Sequence, residues 1–222
     1  MTEAEWKVCG APVQMLRALE APDSKRKKRL FGCACCRRVW HLIPDDRSRN
    51  AVEVAERFAD GAASDEELAT AARQASAAIS KHQRYVRGSD EVDMRYSGTA
   101  ACSHVVGTDV NYFTWAWQDA AQTALDAGAR WHNELAATCA LIRDVFGNPF
   151  RPVDFSSSWQ TDTAIQLARQ MYESRDFGVM PILADALQDA GCDNEEVLTH
   201  CRDPKQPHVR GCWVVDLVLG KT

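Results

Sequence analysis

Five residues near the C-terminus carry side chains suited to holding a metal: Cys192, His200, Cys201, His208 and Cys212. Thiolate sulfur and imidazole nitrogen together make a tetrahedral shell for zinc. If a metal is present, the predicted site is Cys201, His208 and Cys212, completed by Cys192, His200 or a cysteine of the helix predicted over residues 25–43, with Asp203-Pro-Lys-Gln-Pro207 as the loop that folds its two sides together. Three protein ligands plus water would point to catalysis and four to structure. The spacing matches no standard zinc finger, and the first reading is that Cys192 and Cys212 pack in a core while His208 caps or lines a turn, with zinc second.

A second grouping lies in Arg29-Leu-Phe-Gly-Cys-Ala-Cys-Cys-Arg-Arg-Val-Trp-His-Leu-Ile43. Cys33 and Cys36 have the C-x-x-C spacing that lets two thiolates share a metal or close a redox pair. A redox motif wants its first thiol at a helix N-terminus, whereas these two fall inside the predicted helix. They read first as small hydrophobes between Phe31 and Trp40, then as metal ligands, and last as a redox pair. A third grouping, Cys102-Ser-His104 with His132 and Cys139, reads as a surface loop bearing histidine. Motifs for zinc proteases, serine hydrolases, dinucleotide binding and EF-hands do not occur, and the terminal Gly220-Lys-Thr222 lacks the first glycine of a phosphate loop.

Charge and composition set the frame. The 222 residues are 45% hydrophobic and 26% charged, an ordinary globular balance. A net charge of -5 argues against broad nucleic-acid affinity, although Lys25-Arg-Lys-Lys-Arg29 is a local basic patch. Five cations at a helix N-terminus oppose the dipole, so an anion should face them. The favoured partner is the acidic stretch 176–203; a nucleic-acid backbone is the alternative. Nine cysteines, odd in number and two of them adjacent, suit reduced thiols. With no transmembrane run and an acidic N-terminus, a cytoplasmic protein without a membrane partner is expected.

The elements that must position these groups read as helices throughout. Residues 25–43 are apolar over most of a helix circumference and are predicted to be the enclosed centre of an all-α domain, with Ser24 as N-cap and Trp40 inside. Capping-box spacing occurs at Thr2 with Glu5 and at Ser64 with Glu67, and Asp45 or Asp46 caps the helix ending at Gly61. Periodicity is lost between Gly88 and Gly107, the longest predicted loop. Helices return from Asp109 and from Arg130 to Phe146; then Gly147-Asn-Pro-Phe-Arg-Pro152 marks the predicted boundary between an N-terminal bundle (1–146) and a short-helix subdomain (147–222) packed on it, the two expected to form one structural unit. In that subdomain Ser158, Pro181 and Asp193 are predicted starts, and Trp213–Leu219 is predicted as a helix for want of a partner strand.

The stretches Leu30-Phe-Gly-Cys-Ala-Cys-Cys-Arg-Arg-Val-Trp-His41, Ala51-Val-Glu-Val-Ala-Glu-Arg-Phe-Ala-Asp-Gly61, Phe146-Gly-Asn-Pro-Phe-Arg-Pro152, Pro181-Ile-Leu-Ala-Asp-Ala-Leu187 and His208-Val-Arg-Gly-Cys-Trp-Val-Val-Asp216 resemble an uncharacterised protein family of planctomycete-type bacteria. The resemblance spans nearly the whole chain and implies no activity, cofactor or catalytic residue. Leu183-Ala-Asp-Ala-Leu187 is also faintly similar to companion modules beside repeat proteins. The expectation is a non-enzymatic interaction or regulatory module with a protein partner; a zinc-binding protein or metal-dependent enzyme is the alternative, and nucleic-acid contact through 25–29 the next.

Overall fold

The computed structural model describes residues 1–19, 25–86, 94–107 and 112–221, without the side chains of 81–86, 94–96 and 112–114. The described residues form twelve α-helices and no strand. They divide into two compact units, one of Gly10–Cys139 and one of Met1–Cys9 with Ala140–Thr222. The division falls within a helix, seven residues before the Gly147 expected to open the second part, and the first nine residues belong to the C-terminal unit. Ser24 and the residues 88–93 of the expected loop lie outside the described residues.

In the Gly10–Cys139 unit, α3 (Lys25–Arg38) buries every residue from Arg29 to Cys36. Small residues at Gly32, Cys33, Ala34, Cys35 and Cys36 let α4 (Asp46–Ala59), α6 (Met94–His104) and α7 (Tyr112–Asp126) pack against it. The helix stops at Arg38, before the predicted Ile43; Val39 and a short 3-10 turn, Trp40–Leu42, follow. Trp40 is therefore half-buried, with the Arg37 guanidinium 3.9 Å from its ring centroid and that of Arg49 at 5.7 Å.

The acceptors that meet Arg26 and Arg29 at the basic start of α3 include one acid and two backbone carbonyls of this same unit. Arg26 bonds Asp60 at 3.0 Å, and Arg29 donates to the carbonyls of Val105 and Gly107 while lying over Phe58. For Arg26 the partner is thus the C-cap of α4, where the sequence pointed to the acidic 176–203 stretch. One turn after Cys33, Arg37 makes a two-pronged bond to Glu56 at 3.0 and 2.9 Å.

The predicted loop before Gly107 is helical from Met94 to His104. Gly, Ser and Thr are poor helix formers, but here they form a thin face: Ser97, Thr99, Ala100, Ala101 and Cys102 are all buried. A Cβ at Gly98 would already touch Thr123 at 3.4 Å and Ile43 at 3.5 Å. Close backbone approach, which only small residues permit, outweighs propensity. Both capping boxes form as expected, and α5 runs from Asp65 to Val86.

The other unit has its own core of Ala164, Ala168, Met171, Leu183, Leu187, Val197, Cys201, Cys212, Val214 and Val218, among others. It is built by the end of α8 (Trp131–Phe146), then α9 (Asp162–Ser174), α10 (Met180–Asp189), α11 (Glu195–Arg202) and α12 (Trp213–Leu219). Thr161 caps α9 and Asn194 caps α11, where Ser158 and Asp193 were expected; in both cases the side chain that can reach the open amides lies one to three residues further on. α1 (Glu3–Val8) joins this unit: Arg143 Nη2 donates to Trp6 O at 2.9 Å and Cys9 O at 2.7 Å, and Trp6 meets Phe150 edge-on. No helix among the described residues is long and apolar enough to cross a membrane.

Candidate metal centre

Three elements of the C-terminal unit bring four candidate ligands to one point: Asp144 from α8, His200 from α11, and His208 with Cys212 from the connection into α12. One ligand atom from each lies within 4.8 Å of all the others. Asp144 is fully buried, and the side chains of His200 and His208 are 10% and 8% exposed. Asp144 Oδ1 is 3.0 Å from His208 Nδ1 and 3.2 Å from His200 Nε2. Cys212 Sγ is 3.2 Å from His200 Nε2 and 3.9 Å from His208 Nδ1.

Local chain chemistry sets this geometry. Cys212 N bonds Val209 O at 2.9 Å, closing a four-residue turn whose third residue, Gly211, has φ 95°. That is a type II turn, which needs glycine there. It delivers Cys212 to the N-cap of α12, where the amides of Val214 and Val215 face its sulfur and favour the thiolate without closing a cap hydrogen bond. Val209 N donates to Asp144 Oδ2 at 2.9 Å, leaving Oδ1 turned to the two imidazoles. Such second contacts orient ligands and fix which atom faces a metal.

The electrostatics fit a cation. Burial alone would raise the Asp144 carboxyl, but hydrogen bonds from His200 and His208 hold it below its usual range, so it is ionised. Burial, then the Asp144 charge, pushes the Cys212 thiol well up, so metal uptake must expel its proton. A tetrahedral zinc with bonds of about 2.0–2.3 Å sets its nitrogen and oxygen ligands about 3.3 Å apart and nitrogen and sulfur about 3.6 Å apart. The observed nitrogen–oxygen separations, 3.0 and 3.2 Å, fall just short of the first value, and the nitrogen–sulfur separations, 3.2 and 3.9 Å, lie either side of the second.

Of the residues singled out in the sequence, the structure joins His200, His208 and Cys212 and leaves out Cys192 and Cys201, which are buried in the unit's apolar core. Burial first, then the Asp144 charge, pushes the Cys201 thiol up to about 12. Adjacent residues on a helix point about 100° apart, so α11 can aim only one of His200 and Cys201 at Cys212. Asp144 was missed. Its signal was an acid flanked by the apolar Leu141, Ile142 and Val145 on a helix, a position that demands a partner.

The other groupings are structural. Cys33 Sγ contacts Val52 O at 3.9 Å, Cys36 hydrogen-bonds Cys102, and burial pushes the Cys33 and Cys35 thiols well above their ordinary value. Among the described residues none of these joins a metal-ligand group. The double variant Cys33→Ser/Cys36→Ser should therefore leave bound metal unchanged while lowering thermal stability, readable by elemental analysis beside a melting curve. His104 bonds Asp119 at 3.0 Å, and His132 is exposed.

One glycine holds the wall beside the centre. Gly147 has φ 67°, and a Cβ there would sit 3.1 Å from Trp213 Cγ, behind which the indole meets His200 at 5.1 Å. Gly147→Ala should cost roughly 2–4 kcal/mol from left-handed strain plus overpacking, measured by denaturant unfolding.

Fold and site together define an all-helical protein with a buried Asp-His-His-Cys cluster in its C-terminal unit. Compared with protein-family models, curated proteins and solved structures, the chain matches none.

Proposed function

We propose that this chain is a zinc-binding, non-enzymatic helical module whose C-terminal unit is organised around one zinc ion held by Asp144 Oδ1, His200 Nε2, His208 Nδ1 and Cys212 Sγ. The observation that carries this reading is the convergence of the four atoms, drawn from three elements to within 4.8 Å of one another, with the imidazole nitrogens 3.0–3.9 Å from the oxygen and the sulfur, near the edges of a zinc tetrahedron. Two nitrogens, one sulfur and one oxygen suit zinc better than calcium or magnesium, which take oxygen alone. Four protein ligands complete the shell, so no position is left for a reacting water and the metal's role is structural.

Elemental analysis of protein purified without chelator tests the reading. One zinc per chain is expected, falling below a tenth of that in Cys212→Ser and His208→Ala and staying near one in Cys192→Ser. Full occupancy in the first two variants would reject the ligand set.

A further inference from the structure

An open cavity of about 500 Å³ in the C-terminal unit is lined in part by Glu195, Thr199, Trp213 and, alone among the four candidate ligands, His200. The rest of the cluster is enclosed or anchored. Asp144 and Cys212 are 0% exposed, Asp144 Oδ2 accepts the Val209 amide, and Cys212 is fixed behind the Gly211 turn. His208 does not line this cavity; its ring faces Phe177, with 6.4 Å between centroids. His200 has the most exposed side chain of the four, stands in the last turn of α11, and shares the cavity wall with the Trp213 indole.

We infer that zinc enters and leaves the centre from this cavity, with His200 as the ligand that lets go: the imidazole swings into the open space while Asp144, His208 and Cys212 stay in place. The inference rests on the zinc reading of these four atoms. A tightly bound ion is released one ligand at a time, and the first to detach is the side chain with space to turn into; in a close-packed interior a buried ligand cannot move without displacing its neighbours. Such a route is a gate. Narrowing it slows uptake and release by the same factor, so the dissociation constant, which is their ratio, does not change. A lost ligand or loosened packing has a different signature, because it speeds release and weakens binding.

Thr199 and Glu195, one turn apart on α11, are exposed, line the cavity and are not candidate ligands, so bulk placed there fills the space and leaves the ligand set intact. The test follows zinc uptake by metal-free protein in a stopped-flow instrument, and zinc release to excess chromogenic chelator, in the parent and in Thr199→Trp. Both rates are expected to fall about tenfold, with the affinity within about twofold of the parent's. Glu195→Trp, read in the same way, decides the question if T199W does not fold. Rates equal to the parent's, or a change in release alone, overturn the route even where zinc is stoichiometric. A parent chain that takes up no zinc overturns the zinc reading and the route with it.

Discussion

Stripping the metal should lower the melting temperature of the C-terminal unit by roughly 15–30 °C. Anything that binds the native state and not the unfolded one adds stability as RT ln(1 + [L]/Kd), about 4 kcal/mol when the free metal exceeds its dissociation constant a thousandfold. For a domain near this size each kcal/mol moves the midpoint by about 4–8 °C. The loss should be concentrated here because a metal at the proposed centre would tie the end of α8 to α11 and to the turn entering α12, and without it a buried carboxylate is left to two imidazoles and one amide. Hydrogen exchange should show α11 and the 203–212 connection opening first after chelation, while α3 in the Gly10–Cys139 unit keeps its protection. Acidification should act like chelator, because uptake of metal displaces protons from the ligands and falling pH restores them. Restored zinc should recover the original midpoint; a midpoint indifferent to chelator would mean that apolar packing alone holds this unit.

Arg37→Met should destabilise the Gly10–Cys139 unit by about 3–5 kcal/mol. Glu56 is 2% exposed, and the two Arg37 bonds compensate its charge inside a helical core. Removing the cation leaves a desolvated carboxylate, the costly way to break a buried pair. The same change removes the guanidinium stacked on Trp40. Replacing both partners with apolar residues, Arg37→Met with Glu56→Leu, should recover most of the loss, because no charge then remains to be desolvated. Urea unfolding of the three proteins separates the outcomes; a single variant as stable as the parent would mean that water reaches Glu56.

Helix positions were readable where local chemistry decides them. Thr2 with Glu5 and Ser64 with Glu67 announce their caps, and Gly61, Gly128 and Gly191 stop helices with the positive φ that glycine tolerates. Trp213–Leu219, ambiguous by pattern, is helical, as the lack of a partner strand suggested. α6 was illegible because its low-propensity residues are selected by how closely α7 approaches, a tertiary fact. The partner of Arg26 was illegible for a related reason: charge totals pointed to 176–203, but the fold places Asp60, at the end of α4, within its reach. At the site, three of the four candidate ligands could be read from residue type. Asp144, some 56 positions upstream of His200, could be found only by asking why an acid sits among apolar helix positions.

X-ray absorption at the zinc edge of the loaded protein reads the centre most directly. The expected first shell is one sulfur at about 2.3 Å with three nitrogen or oxygen neighbours at about 2.0–2.1 Å, two of them carrying the outer scattering of imidazole rings. A shell with two or more sulfurs would move the site to Cys192 or Cys201, and a six-coordinate shell without sulfur would contradict the centre altogether.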